Sequence, residues 1–196
     1  MSDVRPRPDR RANLLAAARA ILAEKGLEAT TVSEIVARAG VAQGTFYLYF
    51  PSKYALIPAL NQELNEQILT AVREATARAS SALEVVRLGV STVFQILESY
   101  RDVLYVIHSP MTMWPSLTDW EAQFGPYREL IIALIQQRQA TGEIPRSINP
   151  DISARLIIGL INHAGDECFV YHTTAQPEIY IEEVIRFISR ALGLKA

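Results

Sequence analysis

The chain has 196 residues, 49% of them hydrophobic and 20% charged, with a formal net charge of -2 at pH 7. This is enough apolar residue for a substantial core, which excludes disorder by composition, and no run of about 18 uninterrupted apolar residues marks a membrane span. The opening MSDVRPRPDRR lacks the apolar stretch of a signal peptide and the single cysteine, Cys168, excludes an internal disulfide, so a cytoplasmic protein is expected.

The net charge conceals an asymmetry. Residues 1–53 carry eight Lys/Arg against five Asp/Glu, a balance of +3, whereas residues 54–196 carry eleven against sixteen, a balance of -5. A basic end on an acidic body suits a protein that meets a polyanion with one end only. Arg5, Arg7, Arg10 and Arg11, interrupted by Pro6 and Pro8, read as a basic arm able to add phosphate or minor-groove contacts.

The first helix is expected from about Asp9 to Lys25, with Leu14, Leu15, Ala18, Ile21 and Leu22 in a 3.6-residue stripe and Gly26 as its stop. Thr31-Val-Ser-Glu34 then fits a capping box, in which hydroxyl and carboxylate satisfy the free amides of a helix start, so a second helix opens near Val32. Ile35, Val36 and Ala39 give it an apolar edge. Gly40 ends it in a left-handed conformation and Val41 plugs the corner. The next segment, Gln43 to Phe50, places Phe46 and Phe50 four apart for the core and leaves Gln43, Gly44, Thr45, Tyr47 and Tyr49 to face elsewhere. Two short helices joined by a tight turn, the second with a polar outer edge, form a helix-turn-helix pattern.

Thr31, Ile35, Ala39-Gly40-Val41, Gly44-Thr45, Tyr47, Phe50 and Lys53 together resemble the DNA-binding region of tetracycline-repressor-type (TetR family) transcriptional regulators, and the match covers the first quarter of the chain closely. It departs from that pattern at Ala42, where many relatives carry a capping Ser or Thr, and at Tyr49, where relatives carry His or Tyr. The resemblance implies a DNA-binding domain over residues 1–53 and a ligand-binding and dimerisation domain over 54–196. Position by position it implies DNA contacts from Thr31 and Ser33 on the second helix, from Gln43, Gly44, Thr45, Tyr47 and Tyr49 on the third, and from Lys53. The chemistry agrees. The Gln43 amide can address an adenine edge in two places, Thr45 can offer a hydroxyl or a methyl, Gly44 lets the backbone come close, and the two phenols and the ammonium can reach phosphate.

Beyond Pro51, Ser52 can cap a fourth helix from Lys53, with Leu56, Leu60, Leu64 and Ile68 spaced by fours and a bend expected at Pro58. A helix over about 82–106 follows, with Val85, Val86, Val90, Val93, Phe94 and Leu97 apolar. The segment SPMTMWPSLTDW reads as a loop, and a helix from near Trp120 or Pro126 runs to Gln139. Asn149-Pro150-Asp151 opens another helix to about His172, and the last spans Glu178 to Leu192. The fold expected is all-α, about nine helices, with no strand-period segment.

In relatives the last two helices form a four-helix dimer interface. This implies a homodimer through the faces Ile152, Leu156, Ile157, Leu160 and Ile161 on one helix and Ile181, Val184, Ile185, Ile188 and Leu192 on the other, with Gly159 a point of close approach and packing within one subunit the alternative for part of each face. The resemblance further implies a small-molecule effector in the body. Its candidate lining is Phe94, Tyr105, His108, Met111, Met113, Trp114, Trp120, Phe124, Tyr127 and Phe169, which suits an apolar or amphipathic ligand such as a fatty acid, an acyl thioester or a drug-like aromatic. Counted around a regular helix, His163 and Glu167 share a face while Cys168 and His172 fall on the far side, so the four donors do not converge and no metal or cofactor is expected. The expected function is a dimeric, ligand-released transcriptional repressor on a palindromic operator rather than an enzyme. No Ser/His/Asp set, paired carboxylates or phosphate-cradling glycine loop is present. The alternative is a helical carrier or enzyme that has lost DNA binding.

Overall fold

The computed structural model describes residues 9–108, 117–171 and 174–194, and of 117–122 the backbone alone. Among these residues the structure is helical without strands: α1 (Arg10–Ala29), α2 (Val32–Ala39), α3 (Gln43–Tyr47), a 3-10 turn (Lys53–Ala55), α4 (Leu56–Thr76), α5 (Ala82–Ser99), α6 (Arg101–Ile107), α7 (Leu117–Ala140), α8 (Pro150–Asp166), a π-helical turn (Glu167–Tyr171) and α9 (Pro177–Ala191). They form two compact units, residues 9–63 with 105–108, and residues 64–104 with 117–171 and 174–194.

In the first unit, Asp9 caps α1 through its carboxylate, which accepts from the amides of Arg11 and Ala12. Helical dihedrals fail at Gly26 (φ 72°, ψ 176°), the position expected to stop the helix, and a last turn then carries the chain to Ala29. The capping box forms as written. Thr31 Oγ1 accepts from the Glu34 amide and the Glu34 carboxylate accepts from the Thr31 amide at 3.0 Å. Gly40 ends α2 in the left-handed region (φ 66°), which L side chains rarely adopt. Leu14, Leu15, Ala18, Ile21 and Leu22 of α1 are buried together with Ile35, Val36, Phe46 and Phe50.

Pro58 is the third residue of α4, within its first turn, where a missing amide removes no helical hydrogen bond. A 3-10 turn over Lys53–Ala55 precedes α4, and Ser52 makes no side-chain cap.

In the second unit the helix expected over 82–106 is broken at Tyr100 (φ -105°, ψ 5°), which ends α5 and begins α6. α7 starts at Leu117, earlier than its prolines suggested, and carries Pro126 in its interior. α8 opens as expected, with the Asn149 side chain accepting from the Ile152 amide and Pro150 in the first turn. It passes at Glu167 directly into the π-helical turn, which carries the helical run to Tyr171. Arg138, nearly buried, donates to Ala79 O (2.6 Å) and Glu143 Oε1 (3.0 Å), while Glu143 Oε2 accepts from the Ala82 amide (2.6 Å). This clamp joins the start of α5 to the end of α7. At Gly165 a Cβ would stand 2.7 Å from Leu97 Cδ1, so a larger residue on α8 would require the Leu97 side chain of α5 to shift.

Candidate nucleic-acid interface

α3 is only five residues long, and its placement comes from the core. Phe46 is fully buried and its ring meets Phe50 at 5.5 Å and Tyr47 edge-on at 5.4 Å. The backbone stays helical beyond Tyr47, because the amides of Tyr49 and Phe50 both donate to Phe46 O (3.0 and 2.9 Å). With Phe46 and Phe50 inward, Gln43, Gly44, Tyr47 and Tyr49 are exposed and Thr45 half-buried. Ala42 occupies the N-cap and supplies no side-chain bond, as its methyl dictates. A Cβ built on Gly44 meets nothing within 4 Å, and its φ is not positive. Neither packing nor backbone therefore requires glycine at that point.

Two of the expected contacts are committed inside the head. Lys53 Nζ donates to three carbonyl oxygens at the end of α1, Leu27 (2.9 Å), Glu28 (2.9 Å) and Thr30 (3.1 Å), and lies 5.5 Å from the centre of the Tyr54 ring. A cation there neutralises the negative end of the helix dipole, so in this structure the Lys53 ammonium caps the helix end. The Thr31 hydroxyl donates to Glu34 Oε2 at 2.6 Å and is likewise engaged. Ser33 is exposed on the first turn of α2. Hydrogen bonds from Lys25 and from Thr31 hold the Glu34 carboxyl well below the usual range, at about 2. Arg38 pairs with Glu24 at 2.6 Å. Arg11, read as part of a free arm, lies in the first turn of α1 with its guanidinium 5.8 Å from the Phe50 ring centre. Arg5 and Arg7 lie outside the described residues.

The expected effector-lining residues do not all fall in one unit. Phe94 and Phe169 are buried in the second unit with rings 5.8 Å apart, and Phe124 and Tyr127 form another pair there at 6.3 Å. The Tyr127 hydroxyl donates to Asn65 O at 2.6 Å, and burial raises its pKa above the ordinary phenol value. Tyr105 and His108 belong to the first unit, where Tyr105 is 71% exposed. Met111, Met113, Trp114 and the Trp120 side chain lie outside the described residues. Sequence reasoning missed Arg101, whose guanidinium stands 5.5 Å from the centre of the Phe169 ring. The break at Tyr100 that starts α6 had no proline or glycine to announce it.

The carboxy-terminal helices also need a correction. Val184, Ile185, Ile188 and Leu192 of α9 are buried within the subunit, and Ile181 is half-buried. The exposed apolar residues of α9 are instead Ile179 and Phe187, and those of α8 are Ile152 and Leu156, with Gly159 exposed on the same stripe and open space where its Cβ would be. Leu156 is 69% and Phe187 66% exposed. His163 Nε2 lies 3.9 Å from Glu167 Oε1, and Cys168 is buried, which raises its thiol pKa. The π-helical turn resets the residue phase after Asp166. His172 lies outside the described residues. Among the described residues no helix is long and apolar enough to cross a membrane.

A unit whose second and third helices meet through a tight turn, in a chain whose other unit is also all-helical, defines a helix-turn-helix DNA-binding regulator. Residues 14–60 match the family described as bacterial regulatory proteins, tetR family, and residues 86–192 match the tetracyclin repressor-like C-terminal domain. The chain is 32% identical over 181 residues, 92% of itself and 93% of the relative, to the uncharacterized HTH-type transcriptional regulator YvdT of Bacillus subtilis. It is 25% identical to the fatty acid metabolism regulator protein of the same species, over 76% of this chain and 78% of that one. The fold is similar to that of the transcriptional regulator FadR of Bacillus subtilis in complex with stearoyl-CoA (TM-score 0.77, 21% identity, 91% of this chain and 97% of that one). It is also similar to the fatty acid degradation regulator FadR of Bacillus halodurans (TM-score 0.76, 19% identity, 94% and 96%). The chain belongs to the TetR family of transcriptional regulators.

Proposed function

We propose that the protein is a homodimeric repressor that occupies a palindromic operator with two copies of α3 and is released by an amphipathic acyl ligand, a fatty acid or its thioester. The observation that carries the DNA reading is the outer face of α3. Buried Phe46 and Phe50 turn Gln43, Gly44, Thr45, Tyr47 and Tyr49 away from the core, on a helix narrow enough for a major groove. Ser33 adds a hydroxyl on α2. Thr31 and Lys53, which bond within the head, are left out of the contact set.

The exposed stripe Ile152, Leu156 and Gly159 on α8, with Ile179 and Phe187 on α9, supports dimerisation. Burying such side chains contributes about 1.5–3 kcal/mol each, and an isologous contact counts every one twice. Support for an acyl ligand comes from the aromatic pairs Phe94–Phe169 and Phe124–Tyr127 in the body and from the stearoyl-CoA complex of the Bacillus subtilis structural relative. Ligand must favour the state in which the heads fit the operator poorly.

The test is selection of a site from random duplex DNA, followed by salt and acyl-CoA titrations. Enrichment of a palindrome whose affinity falls steeply with salt, and whose complex dissociates on adding long-chain acyl-CoA, is the expected result. No enrichment at low salt refutes the operator reading, and a complex indifferent to acyl-CoA refutes the ligand.

A further inference from the structure

Resting on the operator reading above, we propose that Leu48 is a specificity-determining residue that places its side chain against thymine 5-methyl groups in the major groove. Leu48 is 80% exposed, more than any other large hydrophobic residue described. Its backbone is right-handed helical (φ -71°, ψ -24°), and the two amides that follow it donate to Phe46 O, so the helical turn continues through this position. At roughly 100° per residue, Leu48 stands about 200° from Phe46 and Gly44 about 160° from it, one turn earlier. The two bracket the direction directly away from the core.

A single exposed leucine on an ordinary surface calls for no ligand. Leu48 instead occupies the outermost ridge of the helix that enters the groove. It is preceded on that ridge by a glycine with open space at its Cβ, and its neighbours in sequence, Tyr47 and Tyr49, are 53% and 43% exposed. A glycine and a leucine on the leading ridge let the base edges come close and present them with an apolar surface. Leucine has no donor or acceptor to offer. The one apolar feature that the major groove displays is the thymine methyl, so that is the group this side chain can distinguish.

The experiment uses the full-length protein and the operator selected above, with each thymine of a half-site replaced in turn by deoxyuridine, which removes the methyl and nothing else. Wild type should lose about fourfold in affinity per half-site at one position, about fifteenfold with both half-sites changed, the worth of one buried methyl-sized group. Leu48→Ala should bind the unmodified operator weaker by a similar factor and be indifferent to the same replacement, while its thermal midpoint stays at the wild-type value. The proposal is overturned if wild type tolerates every replacement, or if Leu48→Ala remains as sensitive as wild type. Failure to select any operator removes the DNA reading itself, a result distinct from an operator that is bound without regard to its methyl groups.

Discussion

Replacing Gly44 by alanine should separate folding from DNA binding, because the two demand opposite things of that position. In the free protein an added methyl meets nothing within 4 Å and the backbone is not left-handed, so alanine enters without strain. Alanine is favoured over glycine in a helix by about 0.5–1 kcal/mol, which for a chain of this size raises the thermal midpoint by roughly 1–4 °C. On the operator the same methyl stands on the leading ridge of α3, where backbone and base edge are to meet. Inserting a methyl into a close-packed contact costs about 1–3 kcal/mol, and a palindrome presents the contact twice, so affinity should fall by about thirtyfold or more. Differential scanning calorimetry and fluorescence anisotropy on the selected operator measure the two quantities. A variant that is more stable yet binds with unchanged affinity refutes the assignment of Gly44 to a close approach. A variant that is less stable refutes the local reading of α3.

Three further outcomes follow from the structure. Lys53→Met removes a charge-assisted cap from three carbonyls of α1 and should lower stability by about 1–2 kcal/mol. The slope of log affinity against log salt should stay at the wild-type value, and a slope shallower by about one unit per head would return Lys53 to the phosphate. Glu34 has a folded pKa near 2, below its ordinary 4.5, so its stabilisation is complete above about pH 4.5 and is lost as pH falls toward 2. Thermal midpoints measured over that window should decline less steeply for Glu34→Gln than for wild type. The remaining slope comes from Glu84, Glu143 and Asp151, whose pKa values are also lowered by their hydrogen bonds. Phe187→Glu places a charge in the proposed α8–α9 interface and should turn a dimer into a folded monomer in sedimentation velocity; a dimer that persists in the variant rules this face out.

Short-range chemistry made the head legible before any coordinates. Thr31 with Glu34, Gly40 as a left-handed terminator and Phe46 with Phe50 four apart each act within a few residues, so α2, the turn, α3 and the exposure of Gln43, Gly44, Tyr47 and Tyr49 were legible in the sequence, while Thr45 is half-buried. Asn149-Pro150 determined the start of α8 in the same way. Which bonds a versatile side chain makes within the fold depends on groups that folding brings to it from far along the chain. Lys53 can reach a phosphate or a helix end, and it caps α1 because folding brings carbonyls more than twenty residues away within hydrogen-bond distance. α9 is apolar on more than one side, and which apolar residues remain outside depends on the face that α5 and α8 cover. Periodicity records that a face is apolar, while burial is settled by neighbours distant in sequence. Val184 and Ile188 therefore went inward and Phe187 was left exposed.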